Sequence, residues 1–418
     1  MTTSKLSSDA RTIAGSWLDD VRLDGVVASA LRENPVGDGT VDVVALGKAA
    51  REMFDALTSE LGPRIHRRLL VVDDGDEGAD ILRGEHPVPG LGSLRAGESV
   101  VAFLNAPTDA NTTVFLVSGG ASSLCVLPAP PLSLDDLSGI WKHAIAAGID
   151  ITTLNRLRAS FSLLGGGGVL HHVHTPLSLS LIMVDNVVSG APWVASALTY
   201  DYRPDRMQVT ELVATIGLAG TPLGERIIAA WSVRAARLTS PLTVAHRNVV
   251  VVEPAMVLDH AVTVARRLGF RVVSLGSHVH GDVNDVANQM MAALENVEGG
   301  SAVCVLGAGE VTLSVRGSGR GGRCQQLAWI MSQRLADGQR PCAFVARATD
   351  GRDNLAGVAG AWVDETTLAC AVVAGYHWMD VNERNDTYEP LGALGQLLEG
   401  GHTGWNLCDL YVLCATSS

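Results

Sequence analysis

The sequence predicts an α/β protein of two domains. Three observations carry that prediction. Short buried apolar runs end in glycine-rich turns and lead into stretches at helical spacing; glycine is abundant, at 45 residues; and 418 residues exceed the usual size of one domain. Hydrophobic residues form 47% of the chain, ample for large cores. The boundary is placed near Ser240, giving domains over 1–240 and 241–418.

Ile13, Trp17, Val21, Val27 and Leu31 recur at near-helical spacing and predict a helix within Asp9–Leu31. Val41–Leu46 reads as a buried strand, Gly47 as a turn and Lys48 as the opening of a helix. A Walker P-loop is excluded, because Asp42 stands where its first glycine is required. A cation at a helix N-terminus is unfavourable without a reason. Lys48 is therefore either an anion ligand or an exposed first-turn lysine. "RRLLVVDD" reads as the next strand, and His86 in "HPVPG" as part of a rigid Pro-flanked turn or as a site residue. Thr113–Val117 is a strand that runs into Ser118, Gly119, Gly120, Ala121, Ser122 and Ser123. Small hydroxylated residues at a strand's C-terminal end suit a phosphate cradle or a purely structural turn.

Ser133 caps a predicted helix over Leu134–Ala147. Asn155, Arg156 and Arg158 then precede Gly165–Gly168, a run suited to a turn pressed against another element or a ligand. His171, His172 and His174 read as linker rather than metal cluster, since no carboxylate or cysteine stands at a supporting spacing. The strand in "LSLSLIMVDNVV" ends near Asp185, which is a site residue or the cap of the next turn.

In the second half, "HRNVVVVEPAMVLDHAVTVARRLGFRVVSLGS" reads as a βαβ unit. Beyond it lies Gly309–Gln326, "GEVTLSVRGSGRGGRCQQ": a strand, a glycine-rich turn carrying Arg320 and Arg323, and a helix. Free backbone N–H groups, a positive dipole end and two guanidinium forks predict a site for a phosphorylated or carboxylated ligand. Asp350 and Asp353 flank Gly351 after a buried strand, as a metal- or hydroxyl-binding corner or as an acidic surface turn.

The net charge of −13 argues against nucleic acid or an anionic membrane as the main partner. The sequence shows no basic segment followed by an apolar leader core, and no apolar run of the roughly 18 to 20 residues needed to span a bilayer. A soluble, cytoplasmic protein is expected. Seven cysteines, scattered and never in a C-x-x-C pair, predict reduced thiols rather than a structural zinc.

The order of "ALGKAAREM", "HPVPG", "VSGGASSL", "NRLRASFSLLGGGG", "GEVTLSVRGSGRGGRCQQLA", "ATDGRDNLAGVAGAWVD", "NDTY" and "GGHTGWNLCDL" resembles the glycerate 2-kinases sometimes misnamed hydroxypyruvate reductases, over nearly the whole chain. The resemblance implies an N-terminal Rossmann-like doubly wound sheet and a C-terminal MOFRL-type α/β domain, with an active-site cleft between them. It also implies ATP-dependent phosphorylation of D-glycerate or a related hydroxy acid, with Mg²⁺. Carried over by motif, Lys48 and Arg320 are the principal cations, supported by Arg323, with Asp185 as a third catalytic group. Ser118, Gly119, Gly120, Ser122 and Arg158 line the substrate and nucleotide site. Glu310 places metal or hydroxyl groups, Asp350 and Asp353 hold the metal, and Asn406 and Asp409 close the cleft.

This chain departs from the family at several of these places. Where the family usually has Arg-Lys-His-Leu-Ser and later Lys-Gly-Gly, it has Arg158, Ala159, Ser160, Phe161 and Ser162, then Gly165, Gly166 and Gly167. Where the family has Arg-Asn-Gln-Glu, it has Arg323, Cys324, Gln325 and Gln326. A binding protein that kept the scaffold and lost the chemistry is the first alternative. The second is an NAD(P)-dependent oxidoreductase, from the G-x-G-x-x-G formed by Gly317, Gly319 and Gly322. The expected partners are an anionic small molecule and a nucleotide, and the oligomeric state, a homodimer included, stays open.

Overall fold

The computed structural model describes residues 2–417 apart from 185–189, 298–299, 339, 402, 404 and 406, and omits the side chain of Asp19. The chain divides into two compact units, one of Leu23–Val184 with Val188–Val252, the other of Met1–Arg22, Asp185–Val187 and Glu253–Ser418. The division falls at Val252/Glu253 where the sequence placed it near Ser240, and residues 1–22 join the C-terminal part.

The first unit holds six strands: β1 (Val41–Leu46), β2 (Ile65–Val72), β3 (Ile81–Arg83), β4 (Thr112–Val117), β5 (Leu177–Met183) and β6 (Ala245–Val252). They pair in the order β3-β2-β1-β4-β5-β6, all parallel. That is the doubly wound Rossmann order, whose direction of winding reverses between β1 and β4. Every residue of β1 and β4 is buried, as expected of central strands covered on both faces. The helix after Ser133 spans Leu134–Ala146, and its capping box is complete: Ser133 Oγ accepts from Asp136 N, and the Asp136 carboxylate accepts from Ser133 N.

The second unit carries β7 (Arg271–Ser274), β8 (Val279–Asp282), β9 (Val303–Thr312), β10 (Cys342–Ala348), β11 (Val358–Asp364), β12 (Leu397–Glu399) and β13 (Asp409–Ala415). The sheet order is β12-β11-β10-β13-β9-β7, with β8 also on β9. From β12 to β9 the pairs are antiparallel; β7 and β8 run parallel to β9. Trp329, Phe344 and Tyr411 are fully buried in its core.

Two sequence expectations give way here. The segment read as one βαβ unit contributes β6 to the first sheet and β7 to the second, because β6 pairs only with β5 at a half-exposed edge. The helix expected within Asp9–Leu31 is broken into Thr3–Gly15, Trp17–Asp20 and Leu23–Glu33. The six-residue step from Val21 to Val27 does not fit a helical period, and Val21 is extended. The helix Thr3–Gly15 packs on β10 and β13, burying Leu6, Ala10 and Ile13.

Candidate functional site

In the first unit the turns after β1 and β4 are laced together at the point where the winding reverses. Ser118 N donates to Leu46 O (3.0 Å), Lys48 N to Gly119 O (2.9 Å) and Ala49 N to Ser118 Oγ (3.1 Å). Gly47 has φ +123°, and a Cβ there would lie 2.2 Å from Ser118 Oγ, so no other residue fits. The following helix begins at Ala50, which leaves Lys48 in the turn rather than in the first helical turn. A Cβ on Gly120 (φ +84°) would lie 3.1 Å from Lys48 Cγ, 3.3 Å from Lys48 Cε and 3.4 Å from His86 Cδ2. The glycine therefore lets the lysine stem and the imidazole close over the turn.

Among the described residues, the N–H groups of Gly119, Gly120, Ala121 and Ser122 meet no acceptor in the chain, and the exposed Lys48 ammonium has no carboxylate partner. Unpaired amides and an unpaired ammonium at a parallel sheet's switch point are the components of an anion cradle. Burial, then the Lys48 and Arg158 charges, lower the His86 pKa below its ordinary value against the opposing pull of Asp73, keeping the ring neutral at neutral pH.

Arg158, at the end of the helix Ile151–Phe161, stacks 4.4 Å over the Trp141 ring and donates one long bond, 3.4 Å, to Ser123 Oγ. Burial pushes its pKa down to about 10. Ser123 in turn donates to Pro87 O (2.8 Å), and Ser196 Oγ lies 2.8 Å from Ser122 Oγ and 3.2 Å from Asn155 Oδ1. Ala195, Ser196 and Ala197 are all left-handed, at φ +54°, +53° and +57°, a strained run beside the site.

The four-glycine run has a specific reason. Arg234, buried to 1% exposure, donates to the carbonyls of Ser162 (2.9 Å), Gly165 (3.1 Å), Gly166 (2.8 Å) and Tyr202 (3.1 Å). A Cβ on Gly166 would lie 2.2 Å from Arg234 Nη2. A guanidinium thus braces the backbone of the glycine run.

The second unit treats its glycine-rich loop differently. The strand of the Gly309–Gln326 motif is the end of β9, which stops at Thr312, and the helix begins at Arg323. Several of the loop's amides are taken by the chain itself: Arg316 N donates to Asn385 Oδ1 (2.8 Å), Gly319 N to Arg384 O (3.0 Å) and Arg320 N to Asp386 Oδ1 (2.9 Å). At the helix N-terminus the Asp353 carboxylate accepts from Cys324 N (3.0 Å), Gln325 N (2.8 Å) and Gln325 Nε2 (2.9 Å). The anion expected at this dipole end is therefore supplied by Asp353. Gly317, Gly319, Gly321 and Gly322 admit the segment 384–387 and Asp353; a Cβ on Gly322 would lie 2.2 Å from Asp353 Oδ1.

Arg323 grips the fully buried Asp409 in a two-pronged pair, Nε to Oδ2 at 2.6 Å and Nη2 to Oδ1 at 3.0 Å, and also meets Glu310. The two carboxylates hold Arg323 firmly charged, whereas burial outweighs the pairing for Asp409 and pushes its pKa up to about 6. Arg320 is the looser cation: it is exposed, lies 4.4 Å over the Tyr388 ring and stands 3.8 Å from Glu389. Asp350 Oδ1 accepts from Arg352 N (2.8 Å). Asp185 and Asn406 lie outside the described residues. In the first unit, then, Lys48, Ser118, Gly119, Gly120, Ser122 and Arg158 come together with His86, Asn155 and Ser196, and in the second Glu310, Arg323 and Asp353 gather around Asp409.

Fold and site together define an α/β protein with a Rossmann-type sheet and a glycine-rich turn beside Lys48 at its switch point. The chain belongs to the family described as domain of unknown function DUF4147, which matches residues 9–229, and residues 303–409 match the MOFRL family. The resemblance to the glycerate 2-kinase family is borne out by its relatives. It is 27% identical over 377 residues to a glycerate kinase of Macaca fascicularis, covering 79% of this chain and 95% of that one. It is 26% identical over 384 residues to the D-glycerate 2-kinase of Thermotoga maritima, covering 89% and 90%. The crystal structure of a Thermotoga maritima glycerate kinase shares the fold at a TM-score of 0.85 and 23% identity, covering 99% of this chain and 100% of that one.

Proposed function

We propose that the chain is a kinase that transfers the γ-phosphoryl group of ATP to a hydroxyl of D-glycerate or a related small hydroxy acid. The observation that carries the reading is the set of four amides at the sheet's switch point that, like the Lys48 ammonium beside them, have no partner among the described residues. Phosphoryl transfer is positioning and charge neutralisation. The amides of Gly119 to Ser122 and the Lys48 ammonium would hold the phosphate oxygens as the acceptor oxygen bonds to phosphorus and the bridge to ADP breaks. His86, kept neutral beside Lys48, is the group placed to take the acceptor's proton.

Mg²⁺, expected from the resemblance, would supply further neutralisation, yet Asp353 does not fit it: binding there would displace three N–H donors. Among the described residues no group of three or more His, Cys, Asp or Glu side chains is arranged to hold a metal. No step is assigned to a protein-held ion.

The test is ADP release over a panel of hydroxy acids with Mg²⁺. Turnover is expected, and Lys48→Ala should lower kcat by about 10²–10³. A folded protein that turns over no acceptor refutes the reading. In its place would stand a binding protein on a kinase scaffold, which the commitment of Arg323 to Asp409 and Glu310 favours.

A further inference from the structure

Two arginines of the first unit stand near the glycine run, Arg234 buried and Arg158 partly buried, and they differ in one further respect. Arg234 spends its donors on four carbonyls. Arg158 makes one long hydrogen bond and a ring stack, and among the described residues it has no carboxylate within ion-pair distance. A guanidinium has five N–H donors in a planar fork that matches a carboxylate. Such a group kept from water without a counter-ion is costly unless something else supplies the charge.

Arg158 lines a cavity of about 50 Å³. Its walls include Leu137, Ile140, Trp141, Leu154, Phe161 and Leu164. The polar groups at its edge are already engaged: Ser122, Ser196 and Asn155 bond one another, and Ser162 Oγ accepts from Leu164 N (3.1 Å) and Gly165 N (2.9 Å). Apart from Arg158 and the turn of Ala121 and Ser122, the walls therefore offer carbon rather than hydrogen-bonding partners. Ala121 and Ser122, which line the same cavity, also belong to the turn with the unpaired amides, so a molecule held by Arg158 reaches the anion cradle.

We propose that this cavity is a carboxylate subsite and that its occupant carries an alkyl side chain, so that the acceptor is a small aliphatic 2-hydroxy acid rather than glycerate. The carboxylate pairs with Arg158, the alkyl group enters the apolar cavity, and the 2-hydroxyl faces Lys48 and His86. As an acceptor it rests on the kinase reading; as a ligand it does not. In the transfer, the hydroxyl oxygen bonds to the γ-phosphorus of ATP, its proton goes to His86, and ADP leaves with the bridging oxygen.

The test compares D-2-hydroxybutyrate with D-glycerate, which differ by a methyl in place of a hydroxyl. Isothermal calorimetry on the full chain should show D-2-hydroxybutyrate binding about 10- to 100-fold tighter, since an apolar pocket rejects an added hydroxyl by about that factor. Arg158→Met should lose this binding while its melting temperature holds or rises, because a partly buried charge without a counter-ion has gone. Ile140→Phe, which fills the cavity, should weaken D-2-hydroxybutyrate and leave ATP binding unchanged. Equal or tighter binding of glycerate, no heat with either acid, unchanged affinity in Arg158→Met, or loss of ATP affinity in Ile140→Phe each overturns the proposal. Binding as expected without ADP release refutes the kinase reading and leaves the subsite standing.

Discussion

Removing the buried brace at Arg234 should cost more than any surface change. In Arg234→Met the carbonyls of Ser162 and Tyr202 lose the only donors they have among the described residues, while Gly165 O keeps Gly168 N and Gly166 O keeps Tyr202 N. Fully buried, each orphaned carbonyl would cost about 1–3 kcal/mol, so about 2–6 kcal/mol is the upper limit for this part-buried pair. Relief of the guanidinium's own burial offsets part, leaving about 3 kcal/mol. For a unit of this size that lowers Tm by about 6–12 °C. The assay is a circular-dichroism melt, with calorimetry to resolve the first unit's transition. Gly166→Ala is the companion: with Arg234 present its Cβ would lie 2.2 Å from Nη2, whereas in Arg234→Met only the left-handed backbone opposes it, at about 1–2 kcal/mol. The double-mutant cycle should therefore show a coupling of about 1–3 kcal/mol. A Tm for Arg234→Met equal to that of the unmodified protein, or strictly additive effects, refutes the brace.

Two further predictions concern the second unit. Asp353→Ala strips the acceptor from Cys324 N, Gln325 N and Gln325 Nε2 and should lower its stability by about 3 kcal/mol in urea; unchanged stability with weakened Mg²⁺ affinity would instead make Asp353 a metal ligand. Asp409 has a folded pKa of about 6, above the unfolded value of about 3.9. Its contribution is thus complete below about pH 4 and is lost as pH rises through about 6. The unmodified protein should lose up to about 3 kcal/mol more than Asp409→Asn between those limits, and parallel stability profiles would contradict this.

The sequence made the α/β class and the turns at Gly47 and Gly120 readable, because apolar runs ending in glycine are local signals. It could not rank its two glycine-rich turns. Both read as a strand, glycines and a cation; the difference lies in Asp353 and Asp386, distant in sequence, which fill one turn and have no counterpart in the other. Arg234 was equally hidden, as one arginine in the amphipathic helix Pro222–Arg237 whose burial depends on the glycine run 66 to 69 residues earlier. β6 was assigned to the wrong sheet for a related reason: a strand, a helix and a strand have the same pattern whichever sheet each strand joins.

The helix Thr3–Gly15 packs against β10 and β13. On the ribosome it emerges early, yet its apolar stripe of Leu6, Ala10 and Ile13 stays uncovered until Asp409–Ala415 has been made. At about 5–20 residues per second the delay is on the order of tens of seconds. Throughout it Leu6, Ala10 and Ile13 wait for the strands that bury them in the folded chain.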